Sequence, residues 1–334
     1  MTSSAPADAA IHAALELAIR APSLHNSQPW RWRVGEGAAH LYLDSERTLP
    51  AVDPQNRELI ISCGAALHHL VVALSGSGWS ARVTRLPDPL HPAYLARVQV
   101  AEQCPATDSD LAAAIPRRRT DRRRFGTWPV PAELIGELTE LAHVEGLTLR
   151  AINEPDLRWK LYRAMAEAAE QQAADPAHAA ELADWSGRGT GALDGVPAAA
   201  VPAPARISGQ PPMRPFAGAE LEQPASHGEP ESSALLLLST PLESPLQWLR
   251  AGEVTSAALL IATRDGLAAS PLTQVLEVAD TREYLRAHLA GAAGLHPQIL
   301  LRIGWPAPGA EPLAATPRRP LAEVVAPAGD WHGI

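Results

Sequence analysis

Lysine is all but missing from this 334-residue chain. Lys160 is the only one, and every other basic residue except histidine is arginine. With alanine and proline so abundant, the bias reads mainly as codon usage. Cysteine is nearly as scarce. Cys63 and Cys104 are the only two, without a CxxC partner or a histidine at metal-ligand spacing. This excludes a disulfide framework and a cysteine-based metal site, and leaves two thiols suited to a reducing compartment. No positively charged start leads into an apolar run, so no signal peptide is expected. No run of about 18 apolar residues occurs, so no membrane span is expected, and a cytoplasmic location follows as the expectation. Net positive charge is missing too. The chain carries −9 at pH 7, the wrong sign for a general nucleic-acid binder, whose phosphate contacts need a basic surface.

What is present is a chain that can fold. Apolar residues make up 46% and charged residues 19%, enough for a real core in one large fold or two ordinary domains. The chain also repeats itself. "CGAALHHLVVALSGSGW" (Cys63 to Trp79) and "AGEVTSAALLIATRDGL" (Ala251 to Leu267) each carry glycine at the second position, Gly64 and Gly252. Each carries another glycine fourteen residues on, Gly78 and Gly266. Apolar residues at helical spacing fill the interval, and glycine just past the end is a helix stop. Both copies run on to similar strands, "LARVQV" and "LLRIGW".

Upstream, Ala9 to Arg20 reads as an amphipathic helix with Asp8 as its cap and Pro22 as its stop. Pro131 to Ala142 reads as its counterpart, with Leu134, Leu138 and Leu141 inward. Each half then carries one element the other lacks. The first has "APSLHNSQPW" between helix and strand; the second opens with "IPRRRTDRRRFGTWPVP" (Ile115 to Pro131). The second half also holds an insertion. Asp156 to Trp185 reads as one helix broken near Pro176, and Gly187 to Pro230 follows, rich in glycine and proline and without a period. A long irregular segment in a compact protein is expected to be a lid or a linker, with Met213 and Phe216 as apolar anchors. "SSALLLLST" (Ser232 to Thr240) reads as a buried strand.

The arginine island, Arg117, Arg118, Arg119, Arg122, Arg123 and Arg124 around Thr120, stands out in an acidic protein. Arginine forks hold phosphate through parallel hydrogen bonds, and a threonine hydroxyl adds a contact. A second basic site lies at Arg318 and Arg319.

These motifs resemble the nitroreductase family of FMN flavoproteins. Arg118, Thr120, Arg122, Phe125, Pro129 and Val130 match its Arg-x-Ser-x-Arg, aromatic and Pro-Val pattern. Pro22, Ser23, Asn26, Gln28, Pro29 and Trp30 match its Pro-Ser-x-x-Asn-x-Gln-Pro-Trp loop. Two departures appear: the motif order is inverted, and Phe125 lies one residue further from the hydroxyl. Inversion, repeat and insertion together resemble the Acg-type branch, in which one chain imitates the family's dimer.

The resemblance implies an α+β fold of nitroreductase type, with a central, mostly antiparallel sheet and helices around it. Its two related halves would span 1–110 and 111–334, with the lid-like insertion at 187–230. It implies a chain that is a monomer with one FMN, because only one cleft carries both motifs. Arg118, Thr120 and Arg319, with Arg318 beside them, would hold the phosphate and nearby ribityl oxygens. Arg122 would reach the N1/O2 side of the ring, where a cation stabilises the anionic reduced flavin. Pro22, Ser23, Leu24 and Asn26 would line the ring and ribityl from the other side. Thr273 and Gln274 fall where the family places backbone groups near flavin N5. The sequence leaves open whether His25 touches the ring. His68 and His69 face different ways on one helix with no carboxylate to complete a metal site, so they read as structural. Trp79, Trp185 and Trp248 read as core or rim packing. Two functions remain. One is reduction of nitroaromatics or quinones by NAD(P)H through FMN. The other is FMN binding or storage beneath a lid that excludes substrates.

Overall fold

The computed structural model describes residues 5–189, 191–203, 209–225, 228–291 and 294–327. In the first half α1 (Ala5–Ala18), β1 (Trp30–Gly35), β2 (Ala38–Leu43), α2 (Arg57–Gly76), β3 (Trp79–Arg85) and β4 (Tyr94–Gln103) follow in order, and α3 (Ser109–Ala114) closes it. The second half runs α4 (Ala132–Val144), β5 (Thr148–Ala151), α5 (Pro155–Ala174), α6 (Pro176–Asp184), β6 (Ser186–Arg188), β7 (Val196–Pro197) and β8 (Ala234–Thr240). It continues with α7 (Pro245–Arg264), β9 (Ala268–Leu272), α8 (Gln274–Glu277), α9 (Ala279–His288) and β10 (His296–Gly304). Last come α10 (Leu321–Val324) and β11 (Val325–Pro327).

The strands divide into one sheet per half, both mostly antiparallel, with β6 and β7 as a small parallel pair. The first sheet is ordered β11-β1-β2-β4-β3 and the second β5-β8-β10-β9. Apart from β11, the two orders are the same: β1, β2, β4 and β3 correspond to β5, β8, β10 and β9. The repeat seen in sequence is therefore a repeat of topology. β11 is the exception, a piece from the end of the second half that pairs parallel with β1 of the first.

Local sequence explains the elements. In β1, Trp30, Trp32 and Val34 are buried while Arg31 and Arg33 lie between them half-buried, the period-2 pattern of a strand with one face inward. β8 and β10 are buried almost throughout, as central strands covered on both faces must be. Ser244 caps α7 by accepting from the Gln247 amide, and Pro245 occupies its first position. The break near Pro176 falls where expected, with Asp175 capping α6. Asp8 does not cap α1. That helix starts earlier, at Ala5, and Asp8 Oδ1 instead accepts from the Gly37 amide at 2.8 Å.

At the centre α2 packs on α7, and the repeat glycines meet there. A Cβ on Gly64 would lie 2.1 Å from the Leu249 carbonyl oxygen, and one on Gly252 would lie 2.0 Å from that of Ile61. Only glycine lets the two backbones approach this closely. α2 is long and apolar enough in composition to cross a membrane, but most of it is buried inside the protein. His68 and His69 both reach Ser256 Oγ on α7, at 2.8 and 2.7 Å, so their role is structural as expected. Trp248 is buried, and Trp79 and Trp185 pack against the main core from its edge. Cys63 is buried, Cys104 is half-buried, and both are free thiols.

Candidate functional site

The loop between α1 and β1 is held in an unusual shape. His25, Asn26 and Gln28 have φ of 48°, 56° and 51°, the left-handed region that non-glycine residues avoid. Such positions cost about 1–3 kcal/mol each and persist where surroundings over-determine them. The surroundings here are visible. The Gln28 amide donates to Ser23 Oγ at 3.0 Å, and the Leu24 amide to Ser62 Oγ on α2, also at 3.0 Å. Gln28 Nε2 donates to the Leu193 carbonyl at 2.8 Å, while Gln28 Oε1 accepts from the Arg319 amide.

This loop forms one wall of a cavity at the junction of the halves. Pro22, Ser23, Leu24 and His25 face Ile61, Ser62 and Ala65 of α2, Thr120 and Arg122, and Ser270 to Gln274. Met213, Arg214 and Phe216 of the insertion line it as well. The space between its walls, open mouth included, is about 910 Å3. Most of its lining is apolar, yet four of the residues that line it carry a buried polar atom with no hydrogen-bond partner among the described residues: His25 Nδ1, Glu58 Oε2, Thr255 Oγ1 and Ser270 Oγ. Buried polar atoms are ordinarily paired, so four such atoms around one cavity are unusual.

A second cavity is basic. Arg20, Arg118, Arg119, Arg318 and Arg319 line it, with Glu16 as its only acidic residue. The two cavities are close, because Arg20 and Pro22 line one each, as do Arg118 and Thr120. Two residues of extended chain span only about 7 Å.

The arginine island sorts by partner. Arg117 is exposed. Arg119 donates to carbonyls of Leu313, Pro116 and Arg118. Arg123 forms a buried two-point pair with Asp121. Arg124 holds the end of the insertion through the carbonyls of Ala225 and Glu229. Arg118 differs. It is buried, its Nη2 reaches only the Arg20 carbonyl at 3.4 Å, and its Nε and Nη1 have no partner among the described residues. Burial, then the neighbouring charge of Arg119, brings its pKa down to about 10. A buried cation is costly unless paired, and this one has no anionic partner among the described residues. Arg122 stacks on Phe216, its guanidinium 4.9 Å from the ring centre; burial and Arg214 bring it to about 10 as well.

Other expected residues are placed differently. Arg318 lines the basic cavity, but its guanidinium donates to the carbonyls of Ile19, Arg20 and Ala21 at the end of α1. Arg319 also lines it and pairs with Asp44 and Glu323. Asn26 lines neither cavity. Its amide donates to the carbonyls of Gly195 and Pro317, tying loop, insertion and C-terminal segment together. Thr273 and Gln274 line the first cavity, but their side chains join a network: Thr273 donates to Glu277, and Gln274 to Gln172. Arg214 completes this network. It reaches His25 Nε2 at 2.9 Å and pairs with Glu277. Burial and then Arg214 bring the His25 pKa down to about 3, so it is neutral at pH 7. Met213 packs on the second-half core and Phe216 sits edge-on to His25, as anchors of the inserted segment should. Of that segment, 190, 204–208 and 226–227 lie outside the described residues.

Sequence reasoning did not single out Arg20 or Glu58. For Glu58 a signal existed: an acidic residue at the head of a helix that is apolar almost throughout.

No family model matches the chain. It is 45% identical over 317 residues to "Putative NAD(P)H nitroreductase Rv3131" of Mycobacterium tuberculosis (strain ATCC 25618 / H37Rv), covering 94% of this chain and 90% of that protein. It is 35% identical over 317 residues to "Putative NAD(P)H nitroreductase acg" of the same strain, covering 94% of each. Among solved structures, the FMN-dependent nitroreductase NfnB from Mycobacterium smegmatis in complex with NADPH aligns at a TM-score of 0.39 and 15% identity. That alignment covers 64% of this chain and 96% of that one. The 45% match spans nearly all of both proteins, and on that ground the chain belongs to the nitroreductase family, in the branch that includes Acg.

Proposed function

We propose that the chain binds FMN and uses it to pass reducing equivalents from NAD(P)H to a nitro or quinone-like acceptor. The observation that carries this is the pairing of two neighbouring cavities. One is an apolar slot with unpartnered polar atoms among its lining residues, suited to a flavin ring. The other is a basic chamber in which Arg118 keeps two guanidinium donors unused, suited to a phosphate dianion. The relatives' names, putative NAD(P)H nitroreductases, agree with this reading. Bound FMN would supply two-electron chemistry, and the residues would bind and tune it. Arg118, with Arg20 and Arg119, would hold the phosphate. Arg122 would place positive charge beside the ring, and Ser270, Thr255 and His25 offer hydrogen bonds to its polar edges.

The phosphate assignment has a direct test. Arg118→Ala removes a charge-assisted contact of about 1.5–3 kcal/mol. FMN affinity is expected to fall roughly 10- to 150-fold, while riboflavin affinity barely changes. Arg124→Ala, which loosens only the end of the insertion, is expected to do much less. Fluorescence titration of the apoprotein reads all three, and an equal loss for both ligands would remove Arg118 from the phosphate.

One observation favours a second reading, an FMN-binding or storage protein. Met213, Arg214 and Phe216 already line the first cavity, where a nicotinamide would have to stack at near-contact distance. Under this reading bound FMN is reduced slowly by NAD(P)H but readily by dithionite, and opening of the inserted segment limits the rate. Replacing residues 202–226 with a short Gly-Ser linker is then expected to speed the NAD(P)H reaction at least several-fold in a stopped-flow trace. Rapid bleaching of the intact protein by NAD(P)H leaves the enzyme reading alone.

A further inference from the structure

Glu58 is the residue of the first cavity that the reading above leaves without a task. It stands at the start of α2, 3% exposed, on the same wall as Ile61, Ser62 and Ala65. Oε1 accepts from Arg57 Nη2 at 2.5 Å; Oε2 is buried with no partner among the described residues. Arg57 does not belong to Glu58 alone. The same guanidinium donates to the carbonyls of Gln298 and Leu276, at 2.8 and 3.3 Å. Its charge is spread over several acceptors, and it offers Glu58 one contact instead of a two-pronged fork.

The surrounding charges come from three directions. Glu277 of α8 and Asp53, ahead of α2, repel a carboxylate here, while Arg57 and the inserted segment's Arg214 attract one. Burial outweighs them all and acts against ionisation, so the pKa is pushed up to about 8. Glu277 behaves in the opposite way. Burial, the largest single influence, opposes its charge too, but Arg214, His178 and His25 together outweigh it and keep it ionised. Its oxygens are taken by Arg214, Thr273 and Gln172. Of the two buried carboxyls, one is a tied anion and the other a neutral acid at pH 7. The proton of the neutral acid belongs on Oε2, because Oε1 already accepts from a cation.

We infer that Glu58 is the proton donor for an acceptor reduced in this cavity, an inference that rests on the redox reading above. A quinone that receives a hydride equivalent from the reduced flavin is left with negative charge on a carbonyl oxygen. The Oε2–H bond of Glu58 breaks and an O–H bond forms on that oxygen, giving the hydroquinone. The carboxylate left behind lies beside Arg57 and regains its proton from water. An acid whose pKa is close to the working pH serves this task best, because it is both protonated and willing to give the proton up.

The test uses the full chain loaded with FMN, reduced anaerobically with dithionite, freed of excess and mixed with benzoquinone from about pH 6 to pH 9. The wild-type rate is expected to hold level and then fall about tenfold per pH unit above about 8. Glu58→Gln keeps the shape and the Arg57 contact but has no acidic proton; it is expected to be about 100-fold slower or more, without that break. A second readout needs no flavin. The apoprotein at pH 7 is expected to show the infrared carbonyl stretch of a protonated carboxyl, which titrates away near pH 8 and is missing in Glu58→Gln. A variant that keeps the wild-type rate and pH break overturns the inference, and so does an apoprotein without that band. Wild-type protein that passes no electrons to quinone at any pH defeats the redox reading itself, and the donor role with it.

Discussion

Glu231→Ala is expected to lower the unfolding free energy by about 3–5 kcal/mol. Glu231 and Arg302 form an ion pair with no solvent exposure at either side chain. The pair does not stand alone. Arg302 lies on the Phe125 ring, 3.6 Å from its centre, and donates to the Arg123 carbonyl at 2.9 Å. Glu231 accepts from the Phe125 amide at 2.9 Å. Removing the carboxylate leaves a buried guanidinium with no counter-charge, and the loss of one partner is the costly change. The damage should also reach the arginine island, because these contacts fix the backbone at Arg123 and Phe125. Urea unfolding followed by circular dichroism measures the change. A loss below about 1 kcal/mol would show that water or rearrangement takes over the charge.

The second large effect is steric. Gly252→Ala puts a methyl group 2.0 Å from the Ile61 carbonyl oxygen, and backbone cannot swing aside as a side chain can. Overpacking a tight core costs about 1–3 kcal/mol and occasionally more, and this contact belongs at the upper end, about 3 kcal/mol or beyond. Gly136→Ala is the control. Gly136 lies on the exposed face of α4 with nothing within 4 Å of an added Cβ, so alanine there is expected to add about 0.5–1 kcal/mol through helix propensity. If the two variants unfold at the same urea concentration, the close approach of α2 and α7 is wrong.

How much of this was written in the residues differs from place to place. The matched glycines announced two equivalent helices, since a fourteen-residue interval with a helical apolar pattern is a local signal. That the glycines face each other was not legible, because the contact joins residues 188 positions apart. The loop Pro22 to Trp30 was marked by residue types suited to turns. The engagement of Asn26 was not legible: its amide is used by the carbonyls of Gly195 and Pro317, partners that no local pattern predicts. The arginine island was legible as an anion site but not as a division of labour. Six arginines look alike in a string, and only the placement of Asp121, Leu313 and Ala225 shows which are already engaged. Glu58 escaped notice because a carboxylate at a helix start is ordinarily a solvated partner of the helix dipole. Its burial depends on the opposite half of the chain.

The contact between α2 and α7 has a consequence for how the protein is made. The apolar face of α2 emerges from the ribosome well before α7 exists, since Gly64 and Gly252 are 188 positions apart. At about 5–20 residues per second, that face waits roughly 10–40 s for its partner. The first sheet waits longer still, because β11 is its edge strand and is synthesised after everything else described here. Neither half can finish alone during translation. Transiently exposed apolar surface and unpaired strand edges are where growing chains associate, so the α2 face and the edge of β1 are where association during synthesis is expected.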